Sequence, residues 1–92
     1  MELLSLRQKI NKIDLKILIL LNERAVVVKD VGKIKRGKKL PVYNAQREME
    51  VLQIVQKNNQ GPMSNESIEN IFKMIIFECR KMQTEFLMSE EE

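Results

Sequence analysis

Arg24 and Lys35 stand eleven residues apart with no proline between them, which on a helix turning about 100° per residue leaves them only about 20° apart around the axis. Two cations sharing one helical face suit a small anion. Arg24 also stands on an apolar seam, between Leu20 and Val27, where a buried guanidinium is costly unless an anion meets it. A snorkelling side chain or an ion pair between subunits satisfies the same need. Arg7 precedes Arg24 by seventeen residues, about 25 Å along a helix and about 100° around it. It cannot reach the same small ligand within one chain, but an antiparallel partner can deliver it. Gln83 follows Cys79 by four residues and shares its helical face, an uncharged donor and acceptor beside an aliphatic stripe; a boundary position explains it equally. Arg47 and Glu48 read most simply as first-turn surface charges. Lys33, Lys35, Arg36, Lys38 and Lys39 crowd into seven residues and pose three alternatives: a nucleic-acid patch, a solvated loop, or part of a small-anion site.

The residue types missing from the chain narrow the chemistry. With no histidine and a single cysteine, Cys79, an internal disulfide, a Cys/His metal cluster and a Ser-His or Cys-His nucleophile pair are all excluded. No metal and no cofactor is expected. The net charge of +3 is too mild to demand a polyanion. The longest apolar run, Ile17 to Leu21, is too short to span a bilayer, and the N-terminus lacks a signal pattern. The expectation is a soluble, cytoplasmic protein that binds neither nucleic acid nor membrane.

Helices must position these groups. Aromatic residues make up 4% of the chain and charged residues 32%, and the apolar content is Leu, Ile, Val and Met, which helices accept. From Leu3 the seam runs Leu6, Ile10, Ile13, Ile17, Leu20, Arg24, Val27, Val31 and Ile34 in alternating steps of three and four, a heptad pattern. It predicts a first helix over about 3–36, roughly 50 Å long. A compact chain of this length has a radius of gyration of about 12 Å, so the helix must protrude and bury its seam on a second copy. A basic loop over 37–43 follows, bracketed by Gly37 and Pro41. A second helix over about 44–59 is capped by Asn44, and Gly61 and Pro62 end it. Ser64 caps a third helix over about 64–88, with Ser89 to Glu92 as a frayed, solvated tail. The reading is one all-α domain over 1–92, three helices per chain with a very long first one, in an intertwined homodimeric bundle.

Taken in order, "LRQKINKIDLKILILLNERAVVVKDVGKIK", "PVYNAQREMEVL" and "IFKMIIFECRKMQ" resemble the all-helical chorismate mutase family, from Leu3 to about Gln83. The resemblance implies a dimer whose active sites draw on both subunits and convert chorismate to prephenate by a Claisen rearrangement. It implies that Arg24, with Arg7 of the other subunit, holds the substrate's carboxylates. Lys35 would contact the ether oxygen and a carboxylate, and Gln83 would donate to the ether oxygen from the other side. Glu48 would accept from the ring hydroxyl, and Arg47 would support a carboxylate and the start of the second helix. Asn44 stands where an Asp is frequent in the family, and Cys79 where a Ser often binds a carboxylate. A backbone contact at Asn44 survives that change, but a thiol is a weak donor.

A pericyclic rearrangement requires no nucleophile, metal or proton transfer, which agrees with a chain lacking histidine. Pinning both carboxylates brings the bonding carbons into contact, and charge growing on the ether oxygen is stabilised in the transition state more than in the substrate. Of the five clustered cations only Lys35 joins the site on this reading, while Arg36, Lys38 and Lys39 form a solvated loop that raises the local potential for a dianion. Three rivals remain. Isochorismate pyruvate lyase resembles the mutases in fold and also breaks an ether bond beside a lysine. A nucleic-acid-binding helical dimer would use Lys33 to Lys39, but it lacks aromatic platforms and a recognition-helix pattern. The third is a regulatory module of a larger enzyme of the same pathway.

Overall fold

The computed structural model describes residues 2–91, with side chains through position 89. It contains α1 (Glu2–Gly37), α2 (Ala45–Asn58) and α3 (Asn65–Glu91), with no strand among the described residues. The all-α, three-helix class expected from the sequence is the class observed. α3 packs against both α1 and α2, which do not pack on each other.

α1 holds because no proline interrupts it. Glu2 opens it and Lys35 and Arg36 close it, each sign complementing the helix dipole. Its 36 residues imply about 54 Å, and the molecule's longest dimension is 55 Å. The radius of gyration, 16.4 Å, exceeds the value of about 12 Å for a compact chain of this length. Residues 2–23 of α1 are all exposed. Leu3, Leu6, Ile10, Ile13, Ile17 and Leu20 are 48–61% exposed, because α3 covers only the C-terminal half.

Beyond α1 the chain turns through Lys38 N–H to Ile34 O at 3.1 Å and Leu40 N–H to Lys35 O at 2.7 Å. Lys39, with φ of 56°, takes the left-handed position at a cost of about 1–2 kcal/mol for a residue with a Cβ. Arg36 corrects the expectation of a solvated loop cation. It lies in the last turn of α1, and its Nη1 donates to Leu87 O on α3 at 3.3 Å. Lys33 also faces α3, with Nζ 5.3 Å from the Phe86 ring centroid; Lys29 lies 4.0 Å from the same centroid, a cation–π arrangement.

Asn44 is extended, with φ of −138° and ψ of 96°, and its Oδ1 accepts from Arg47 N–H at 3.0 Å, the bond that starts α2. Between α2 and α3 the Asn59 amide donates to Met63 O and to Asn65 Oδ1, each at 2.8 Å. Its Oδ1 accepts from Gly61 N–H at 3.0 Å. Gly61 has φ of 75°, a conformation that favours glycine. Ser64 Oγ accepts from Ser67 N–H at 3.1 Å and so caps α3. α3 continues through Glu91 past the point where a frayed tail was expected, and Glu92 lies outside the described residues. No helix among the described residues is long and apolar enough to cross a membrane.

The core within one chain is thin. Ile76, Cys79, Gln83 and Leu87 line the buried stripe of α3, Gly32 is the buried residue of α1, and no side chain is fully buried among the described residues.

Candidate active site

A cavity of about 290 Å³ opens where the C-terminal half of α1, the first turns of α2 and the middle of α3 meet. Val27, Val28, Val31, Val51 and Ile76 give it an apolar floor. Of the residues singled out in the sequence, Arg24, Lys35, Asn44, Arg47, Glu48, Cys79 and Gln83 all line it. Arg7 does not; it sits on the exposed part of α1, about 25 Å from Arg24 by the helical rise.

Each element supplies its groups for a local reason. On α1, Arg24 and Lys35 lie about 20° apart around the helix axis, and both are half-buried in the lining of the cavity. Arg24 is half-buried and makes no hydrogen bond or ion pair among the described residues. Lys35 Nζ donates to Val42 O at 3.0 Å, which ties the ammonium to the loop before α2 and leaves it further protons. On α2, the Asn44 cap sets the first turn, so Arg47 and Glu48 open at the cavity. Arg47 Nη1 also lies 3.4 Å from Glu50 Oε2 on the exposed side.

Arg80 is a cavity residue to which sequence reasoning assigned no role. It lines the cavity, its Nη1 donates to Glu48 Oε2 at 2.6 Å, and its guanidinium carbon lies 4.6 Å from the Tyr43 ring centroid. A half-buried, charge-assisted bond of this kind holds a carboxylate in place, while the ring supports the cation from the other side. Only Glu48 Oε2 is engaged there, which leaves Oε1 to accept from a ligand. No spacing rule finds the pair, because its members are 32 residues apart on different helices.

Gln83 is 4% exposed. Its Nε2 donates to Val28 O at 2.7 Å, and this carbonyl fixes which end of the amide is nitrogen. One N–H remains. Cys79 is buried beside it as a free thiol. The cavity thus carries four cations, Arg24, Lys35, Arg47 and Arg80, against one carboxylate, Glu48. Its field suits a small ligand with more than one negative charge. Among the described residues no group of His, Cys, Asp or Glu is able to hold a metal ion.

Comparisons with known proteins bear on the family and the fold. The family described as chorismate mutase type II matches residues 6–84. The chain is 36% identical over 86 residues to a bifunctional chorismate mutase/prephenate dehydratase of Aquifex aeolicus, covering 89% of this chain and 24% of that protein. It is 32% identical over 87 residues to a chorismate mutase of Methanocaldococcus jannaschii, covering 94% of this chain and 88% of the relative. The solved chorismate mutase (form II) of Thermus thermophilus superposes with a TM-score of 0.90 at 30% identity, over 91% of this chain and 96% of that one. The chain spans about a quarter of the length of the bifunctional relatives it matches.

Proposed function

This chain belongs to the chorismate mutase type II family, and on that premise we propose that its cavity rearranges chorismate to prephenate, as an isomerase of aromatic amino-acid biosynthesis acting in the cytoplasm. One observation carries the reading furthest: an arginine without a partner among the described residues, a tethered lysine and a buried amide face one apolar-floored cavity whose single carboxylate is already paired. That arrangement binds and polarises a dianion.

Arg24 holds one substrate carboxylate, and Arg7 of a second copy holds the other. The second copy is part of the proposal. The uncovered seam from Leu3 to Leu20 is a long apolar face of the kind that marks an interface, and an antiparallel α1 laid along it brings Arg7 to the far cavity. Clamping both ends of the substrate folds its enolpyruvyl arm over the ring. A carbon–carbon bond then forms as the ether carbon–oxygen bond breaks, with no proton moved.

Lys35 donates to the ether oxygen and a neighbouring carboxylate, and Gln83 donates its second N–H to the ether oxygen from the opposite side. Because charge on that oxygen grows only as the bond lengthens, these donors favour the transition state over the substrate. Even modest enzymatic acceleration requires about 8 kcal/mol, and the larger share is assigned to this field. Glu48 Oε1 accepts from the ring hydroxyl while Arg80 holds the other oxygen. Arg47 supports a carboxylate, Asn44 contributes backbone, and the Cys79 thiol serves mainly as wall. Incubating the chain separately with chorismate and with isochorismate, and following the products by proton NMR, tests the reading. Prephenate is the expected product. Salicylate and pyruvate from isochorismate, with chorismate left untouched, would replace the mutase by a lyase.

A further inference from the structure

Gly32 is the buried residue of α1, in the interior of a helix where glycine is, after proline, the least favourable choice. A Cβ built there would stand 2.7 Å from Gln83 Cγ, 2.9 Å from Nε2 and 3.1 Å from Cδ, well inside the ordinary carbon separation of about 3.5–4.0 Å. All three nearest atoms belong to Gln83. A Cβ at Gly37, by contrast, meets nothing within 4 Å.

The register explains why the close approach occurs at this position. Gly32 is four residues after Val28, so the helical repeat aims its N–H at the Val28 carbonyl, the same oxygen that accepts from Gln83 Nε2. A carbonyl has two lone pairs and serves both donors. The glutamine side chain reaches the second lone pair only by passing over position 32.

We propose that Gly32 is a positioning residue for the reaction: its missing side chain forms the notch through which Gln83 crosses α1, binds Val28 O and presents its remaining N–H to the cavity. The proposal rests on the reading of Gln83 as a donor to the ether oxygen. An added Cβ pushes the amide off its carbonyl, so the loss falls on the transition state rather than on substrate capture.

The test combines the side-chain amide NMR signals of Gln83, assigned by their absence in Gln83→Ala, with steady-state kinetics on chorismate. Gly32→Ala is expected to shift the Gln83 amide signals, lower kcat at least about tenfold and move KM less than about threefold. In the Gln83→Ala background, where the obstructing atoms are gone, the same substitution should cost less than about twofold more. Gly37→Ala should leave both the signals and kcat unchanged. Unmoved amide signals, or an equal loss of kcat in both backgrounds, overturn the role of Gly32. Shifted signals with undiminished kcat uphold the contact and remove Gln83 from the reaction instead. If Gly32→Ala does not fold, the double variant still should, and its failure to fold also overturns the proposal.

Discussion

Lys35 and Lys38 are three residues apart, yet only Lys35 lines the cavity, while Lys38 is exposed on the turn after α1. Lys35→Ala should therefore lower kcat at least about a hundredfold with the helical fold intact, because the charge proposed to face the ether oxygen is lost and no core packing goes with it. Lys38→Ala should change the rate by less than about threefold, mainly through salt-sensitive substrate capture. Circular dichroism and steady-state kinetics on both variants check the contrast. Gln83 makes a second distinction. Its amide does not titrate, so kcat should be nearly flat between about pH 6 and 8. Gln83→Glu should favour acid, since only a protonated carboxyl can donate, and its activity should fall as pH rises through the pKa of the introduced group. A pH–rate profile that climbs toward alkali would remove Gln83 as donor. Helical spacing made several of these residues legible beforehand: Arg24 breaks an apolar seam, Lys35 repeats its face three turns later, and Gln83 interrupts an aliphatic stripe. The contacts of Arg80 and Gly32 stayed hidden because each meets a partner on another helix, Glu48 for one and Gln83 for the other. Arg80 looks like one more charge on an amphipathic helix, and Gly32 like a weak point in a long one.

The helices were the most legible level, since their patterns are local. An unbroken alternation of threes and fours requires one long α1, and Asn44 and Ser64 announce the next two starts by a chemistry that spans only three residues. The turn after α1 was less legible. Gly37 suggested the break, but the left-handed position falls at Lys39, and Arg36 is drawn onto α3 by the Leu87 carbonyl. Both depend on where α3 lies, which no local pattern encodes. A prediction at this scale concerns the α3 cap. Ser64→Ala removes the acceptor for Ser67 N–H and should lower stability by about 1 kcal/mol, read by urea denaturation at fixed protein concentration. Ser64 does not line the cavity, so turnover of the folded variant should stay within about twofold of the parent.

At the scale of the whole molecule, the shape of one chain poses the central question. An elongated chain 55 Å long with its apolar seam uncovered has a cavity that gathers every proposed ligand contact except Arg7. If α1 of a second copy supplies that arginine, Arg7→Ala and Arg24→Ala should each be nearly inactive as homodimers, because every site lacks one carboxylate clamp. In a mixed dimer, the site on the Arg7→Ala chain keeps its own Arg24 and receives Arg7 from the Arg24→Ala chain, while its twin lacks both. Random reassortment of equal amounts makes about half the dimers mixed, with one intact site of two in each. The decisive measurement is the rate of prephenate formation by the two variants after they are unfolded and refolded together, with heterodimer content verified by differential tagging. Recovery to about a quarter of the wild-type rate is the predicted result, and verified heterodimers as inactive as their parents would show that Arg7 completes no partner's site.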